Sequence, residues 1–252
     1  MLKRFSGMGN PFLRNGIDST TSSSGWNGST VATETSTGTM TIQGAINKTL
    51  ILFGLLLVTA FVSYQAPNPV LIIGGAIAGL IVVLISVFKR EYSHILAPVY
   101  ALLEGFVVGG VSAMYAGFGG GIVIQAVSLT MLVLFIMLFI HKTGIIPVTQ
   151  QFRMGVVMAT GAIALLYLIS FVLSFFGIHI PYIHQGGTIG ILFSLGVIGI
   201  ASLNLLLDFD NIVKGEEYRA PKYMEWFSAM GLMITLIWLY FEILRLLAKL
   251  RE

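Results

Sequence analysis

The sequence contains no cysteine, which excludes a disulfide framework, a thiolate metal site and a thiol nucleophile. Charge is scarce: Asp, Glu, Lys and Arg together make up 10% of the 252 residues, too few to cover a water-facing surface. The four histidines (His94, His141, His179 and His184) fall in expected loops, no two have ligand spacing on one helix face, and HExxH is absent. No metal site and no cofactor are expected. Ser112, in GGVSAMY, has no histidine in an apolar segment to act as its base, so no nucleophile and base can be paired and an enzyme is not expected. A retinal-type receptor needs a mid-membrane lysine in its last helix, where this chain offers only Lys249 at the end.

What the chain has is apolar length. Hydrophobic residues make up 56% of it and the mean hydropathy is +0.90, values that indicate an integral membrane protein. A spanning helix needs roughly 20 mainly apolar residues, and segments at about 44–64, 69–88, 95–116, 121–140, 153–177, 188–208 and 224–249 meet that test. Runs such as MLVLFIMLFI do not alternate in polarity, which excludes a transmembrane barrel. The expected fold is all-α, with seven transmembrane helices.

Basic residues set the orientation. Eleven of the 14 Lys and Arg residues precede helix 1 or lie at its start, or lie between helices 2 and 3, 4 and 5, or 6 and 7. By the positive-inside rule that side is cytoplasmic, so the N-terminus is expected inside and, after seven spans, the C-terminus outside. Arg245, Lys249 and Arg251 run against this pattern, and a re-entrant last helix would return the C-terminus inside. With its basic residues placed by topology, the net charge of +3 does not call for a nucleic-acid partner; the bilayer is the partner the composition demands.

Residues 1–40 read as a cytoplasmic tail, rich in Ser, Thr and Gly from about residue 15 and too poor in apolar surface to order. Residues 41–252 form the transmembrane domain. Small residues (Gly75 and Gly79, Gly105 and Gly109, Gly196 and Gly199, Ala229 and Gly231) are spaced for close helix packing. Most tryptophans and tyrosines fall near span ends, as interface anchors do.

Against this background, acids within spans are the functional candidates, because a charge at the bilayer centre costs about 2.5–3.5 kcal/mol on insertion scales. Glu104 lies near the middle of helix 3; a protonated carboxyl bonded to a neighbouring helix is its bland alternative. Asp208, in LLLDFDNI, follows Asn204 by one turn on the same face of helix 6. Asp210 points away from Asp208, and a solvated helix end would explain both acids. Glu242 has Arg245 one turn on, so an i, i+3 ion pair accounts for it without function. Thr235, two turns earlier on that face, is a hydrogen-bonding residue of the bundle.

These residues carry a resemblance. LLLDFDNI, a charged loop and a last helix ending IWLYFEILRLLAKL, with LLEGFVVGG in helix 3 and NPFLR in the tail, resemble the Bax inhibitor (transmembrane BAX inhibitor motif) superfamily, in particular its bacterial members. The resemblance implies that the last helix runs through the middle of the bundle, wrapped by the other six. It implies a pH-sensitive calcium leak across a bacterial inner membrane, gated by two acids that share a proton, one ending helix 6 and one in helix 7. The first matches Asp208, with Asp210 where the family often has glutamine; at the second stands Thr235, with Glu242 seven residues on. Two carboxyls about 3 Å apart cannot both ionise, whereas a carboxyl beside a threonine shares no proton in that way.

The expectation is therefore a cation leak with Asp208 at the cytoplasmic mouth of a polar path and Glu104 as a second station, since calcium prefers oxygen ligands. The alternative is a non-conducting modulator of other membrane proteins, such as a membrane-bound protease, as some bacterial relatives are thought to be.

Overall fold

The computed structural model describes residues 38–119, 121–174, 176–177 and 187–251. Among them are seven long helices: α1 (Ile42–Gln65), α2 (Pro69–Phe88), α3 (Ser93–Ala116), α4 (Ile122–Thr143), α5 (Gln150–Ser174), α6 (Thr188–Glu217) and α7 (Met224–Lys249). Each is long and apolar enough to cross a membrane, and a 3₁₀ turn at Arg90–Tyr92 joins α2 to α3.

The starts of α1 and α2 follow from local chemistry. Thr41 caps α1, its hydroxyl accepting from the Gly44 N–H at 3.0 Å, and Asn68 caps α2 by accepting from the Val70 N–H at 2.9 Å, with Pro69 in the first helical position. His94 and His141 lie inside α3 and α4 rather than in loops; His179 and His184 are outside the described residues. The last residues of the expected tail are bonded to the bundle. Residues 1–37 are outside the described residues, whereas Met40 donates its N–H to the Ala220 carbonyl at 2.7 Å and Gly38 accepts from the Lys222 N–H at 3.1 Å. A β-bridge pairs Thr39 with Pro221.

The last helix is the axis. Two-thirds of the α7 span is buried (67%), against 11–44% for the other six. It packs against α1, α3, α4 and α6, while α2 lies chiefly on α3 and α5 chiefly on α6. The last helix is thus central as expected, but four helices rather than six form its main wrapping. Lipid gives apolar side chains little reason to leave it, so close backbone approach and hydrogen bonds hold such a bundle. Gly105 and Gly109 bring α3 onto α1, where a side chain at Gly109 would overlap the backbone of Ala60. Ser63 adds a bond to the Phe106 carbonyl at 2.7 Å. Gly196 and Gly199 have no neighbouring atoms where a side chain would go, so the small-residue spacing in α6 does not mark a helix contact.

One boundary differs with consequence. The expected helix 6 stops at about residue 208, whereas α6 continues to Glu217. Asp208 and Asp210 therefore lie within a helix, more than a turn before its last residue, and a solvated helix end does not explain them. Hydropathy marks where the membrane ends, and a helix can run on into the headgroups with polar residues such as Asn211, Lys214 and Glu216.

Candidate functional site

Asp208 lies where α6 passes α7, on the wall of a cavity of about 530 Å³ at the basic side of the bundle. Around it stand Arg90, Arg153, Asn211, Lys214, Ser228 and Gly231. Gly231 of α7 faces the carboxylate, with Oδ1 3.9 Å from where a Cβ would stand, an ordinary contact distance. One carboxylate oxygen, Oδ2, is buried and has no hydrogen-bond partner among the described residues. A buried polar atom without a partner costs roughly 1–3 kcal/mol, and this one belongs to a group that binds cations.

The Thr235 hydroxyl faces Asp208 from α7, and it also donates to the Gly231 carbonyl one turn back at 3.3 Å.

Asp210 turns the other way and is ion-paired. Its Oδ2 takes Arg153 of α5 at 2.5 Å and Lys214 at 2.7 Å, while Arg153 also donates to Asn211 at 2.7 Å. Asn204 faces α5 as well, giving hydrogen bonds to Thr160 at 2.7 Å and to the Ile200 carbonyl at 2.9 Å. It does not line the Asp208 cavity. Glu104 also lies elsewhere: its carboxylate packs over Gly79 of α2, outside the Asp208 cavity.

Glu242 sits toward the opposite end of α7 and is 1% exposed. Arg245 holds it at 3.0 and 3.2 Å, and Tyr167 of α5 donates to it at 2.8 Å. Arg245 in turn donates to the Tyr167 hydroxyl at 2.9 Å, which closes a three-membered network. Beyond it, the buried Lys249 donates to the Gly190 carbonyl at 3.1 Å and to Ser194 at 3.0 Å. Ser112 is paired with Tyr240 at 2.6 Å.

Between the Asp208 cavity and this network the core is apolar. Leu205, Leu236 and Leu239 pack there, all 5% exposed or less, beside the buried Ser112–Tyr240 pair. The structure brings Asp208 and Thr235 together and keeps both apart from Glu104 and Glu242.

A second buried acid was not foreseen from the sequence. Glu225, in the first turn of α7, is 1% exposed and pairs with Lys48. It accepts from the Thr41 N–H at 3.0 Å and the Thr41 hydroxyl at 3.1 Å, and Gly44 is bare because a side chain there would overlap the carboxylate. An acid in a first helical turn ordinarily reads as a solvated partner of the dipole. The signal that could have found it lies on the other element, where Thr41, Gly44 and Lys48 share one face of the start of α1.

A bundle of seven long apolar helices, the last of them buried among the others and acids held inside, belongs to the integral membrane proteins of the helical-bundle class. The family model described as Bax inhibitor 1 like matches residues 10–252, and the chain belongs to that family. No individual curated protein matches it.

Proposed function

We propose that the protein passes cations, calcium among them, across the bacterial inner membrane, and that Asp208 is the carboxylate an ion meets from the cytoplasmic side. The observation that carries this reading is the buried, unpartnered Oδ2 of Asp208 on a cavity wall. A hard cation supplies the partner that atom lacks. The leucine-filled core beyond the cavity corresponds to a closed state, and conduction requires α6 and α7 to part along the Asp208–Thr235 line. Glu104 and Glu242 are retained in this proposal only as acids a moving ion could visit after such a rearrangement. Proton sharing between two acids finds no second carboxyl bonded to Asp208 among the described residues, so a pH response at this site would act through Asp208 alone. Reconstitution tests the reading: liposomes carrying the protein should leak calcium, and those carrying Asp208→Ala should leak differently. Equal flux removes Asp208 from the mechanism.

The second reading, a modulator of another membrane protein such as a membrane-bound protease, is favoured by the same leucine-filled core, which offers no continuous polar route among the described residues. A conducting protein moves ions alone in liposomes; a modulator does not.

A further inference from the structure

We propose that residues 38–41 form a strap whose Met40 side chain stoppers the Asp208 cavity, an autoinhibitory contact that must lift before ions on the basic side reach the carboxylate freely. Met40 is 1% exposed although it lies outside the first helix, just before the Thr41 cap. It lines the same cavity as Asp208, Lys214, Gly215 and Ser228.

Its seat is shaped for it. Gly215 lies inside α6, where glycine is disfavoured, yet a Cβ at that position would lie 2.5 Å from the Met40 sulfur. A side chain there would have to displace the thioether from its seat. Methionine also suits a stopper that comes and goes, because its unbranched, flexible chain can leave a pocket without rearranging the walls.

The attachment is local. The strap is bonded edge-on to residues 220–222 through the Met40–Ala220 and Lys222–Gly38 backbone bonds. It is anchored at its C-terminal end, where Thr41 gives both its N–H and its hydroxyl to Glu225, and the Ile42 N–H reaches Glu216 at 3.1 Å. The anchor lies on the first turn of the central helix and the last turns of α6, the two elements that must separate for the cavity to extend inward. A movement of α7 against α6 would therefore pull on Glu225 and Glu216 and on the strap together. Buried Glu225 thereby acquires a role the cation path does not give it, that of holding the stopper in register.

The inference deepens the proposed cation path and rests on it for its effect on flux, but access to the cavity can be measured without any flux. Because the chain has no cysteine, Ser228→Cys places a single thiol on the cavity wall. In lipid nanodiscs, its reaction with a water-soluble maleimide should be slow while the strap is intact. It should be at least about tenfold faster when Met40→Gly removes the side chain. Gly215→Ala, which displaces the thioether from the opposite side, should accelerate it in the same sense, and decides the matter if the Met40→Gly protein does not fold. A cysteine at exposed Glu217 gives the rate for an open site. The proposal is overturned if Ser228→Cys reacts at that open rate with the strap intact, or if neither substitution accelerates it. If labelling accelerates while wild-type and Asp208→Ala liposomes still leak calcium equally, the stopper stands and the cation path falls.

Discussion

Asp210 is two positions beyond Asp208 in the helix, which turns their side chains about 200° apart around the α6 axis. That rotation divides their chemistry. Asp210 meets Arg153 and Lys214 and is neutralised, while Asp208 meets a threonine, a glycine and a cavity. Asp208→Asn keeps the volume and removes the charge, so it separates cation attraction from packing. If the carboxylate attracts the ion, calcium flux in liposomes should fall at least about tenfold, equivalent to ~1.4 kcal/mol, with the melting temperature nearly unchanged. Asp210→Asn should act in the opposite manner, releasing Arg153 and Lys214 and costing stability first. Glu242 allows a cleaner test of a structural acid. Removing it leaves Arg245 uncompensated beside Tyr167, which should cost on the order of 3 kcal/mol. Thermal unfolding in detergent should show a large loss for Glu242→Ala and substantial recovery in a Glu242→Leu, Arg245→Met pair. Additive losses would mean that the two residues do not act as a unit.

At the scale of elements, the glycines of α3 and α6 contrast because spacing alone does not say what faces a residue. Gly109 touches the α1 backbone, whereas Gly199 has nothing within van der Waals reach. Gly109→Ala should force the helices apart and cost about 1–3 kcal/mol, as overpacking does. Gly199→Ala should be neutral or gain up to about 1 kcal/mol from helix propensity. Melting curves of the two variants, compared with the parent, check both; equal losses would mean that the α1–α3 approach is not what Gly109 serves. The same distinction explains what was legible beforehand. Seven helices could be read because apolar length is a local property that the bilayer itself imposes. The extension of α6 to Glu217 could not, since DNIVKGEE looks like a loop until Arg153 of α5 and Ile42 of α1 supply partners for Asp210 and Glu216. The meeting of Asp208 with Thr235 was visible through family likeness, but the Glu225 anchor needs α1 and α7 placed side by side.

For the whole molecule, orientation determines which solution the Asp208 cavity faces, and three basic residues at the far end of α7 oppose the positive-inside pattern. Their surroundings weaken that opposition. Arg245 is bound to Glu242 and Tyr167, Lys249 to a carbonyl and a serine of α6, and Arg251 to the Gly119 carbonyl and the Gln125 side chain. Cations engaged with helix ends and buried acids are structural parts of the bundle, whereas the rule weighs charge in the short loops that insertion must hold back. On that rule we propose that the Asp208 side is cytoplasmic, since Lys89, Arg90, Lys142, Arg153, Lys214, Arg219 and Lys222 lie in or beside the connections at that end. The cysteine-free background again gives a direct measurement. Ala66→Cys, between α1 and α2, should react with an impermeant maleimide in intact cells, while exposed Ile145→Cys, between α4 and α5, should react only after permeabilisation. The opposite pattern would turn the bundle over and make Met40 a stopper against the exterior; the proposed route would then begin outside the cell, with the same residues guarding it.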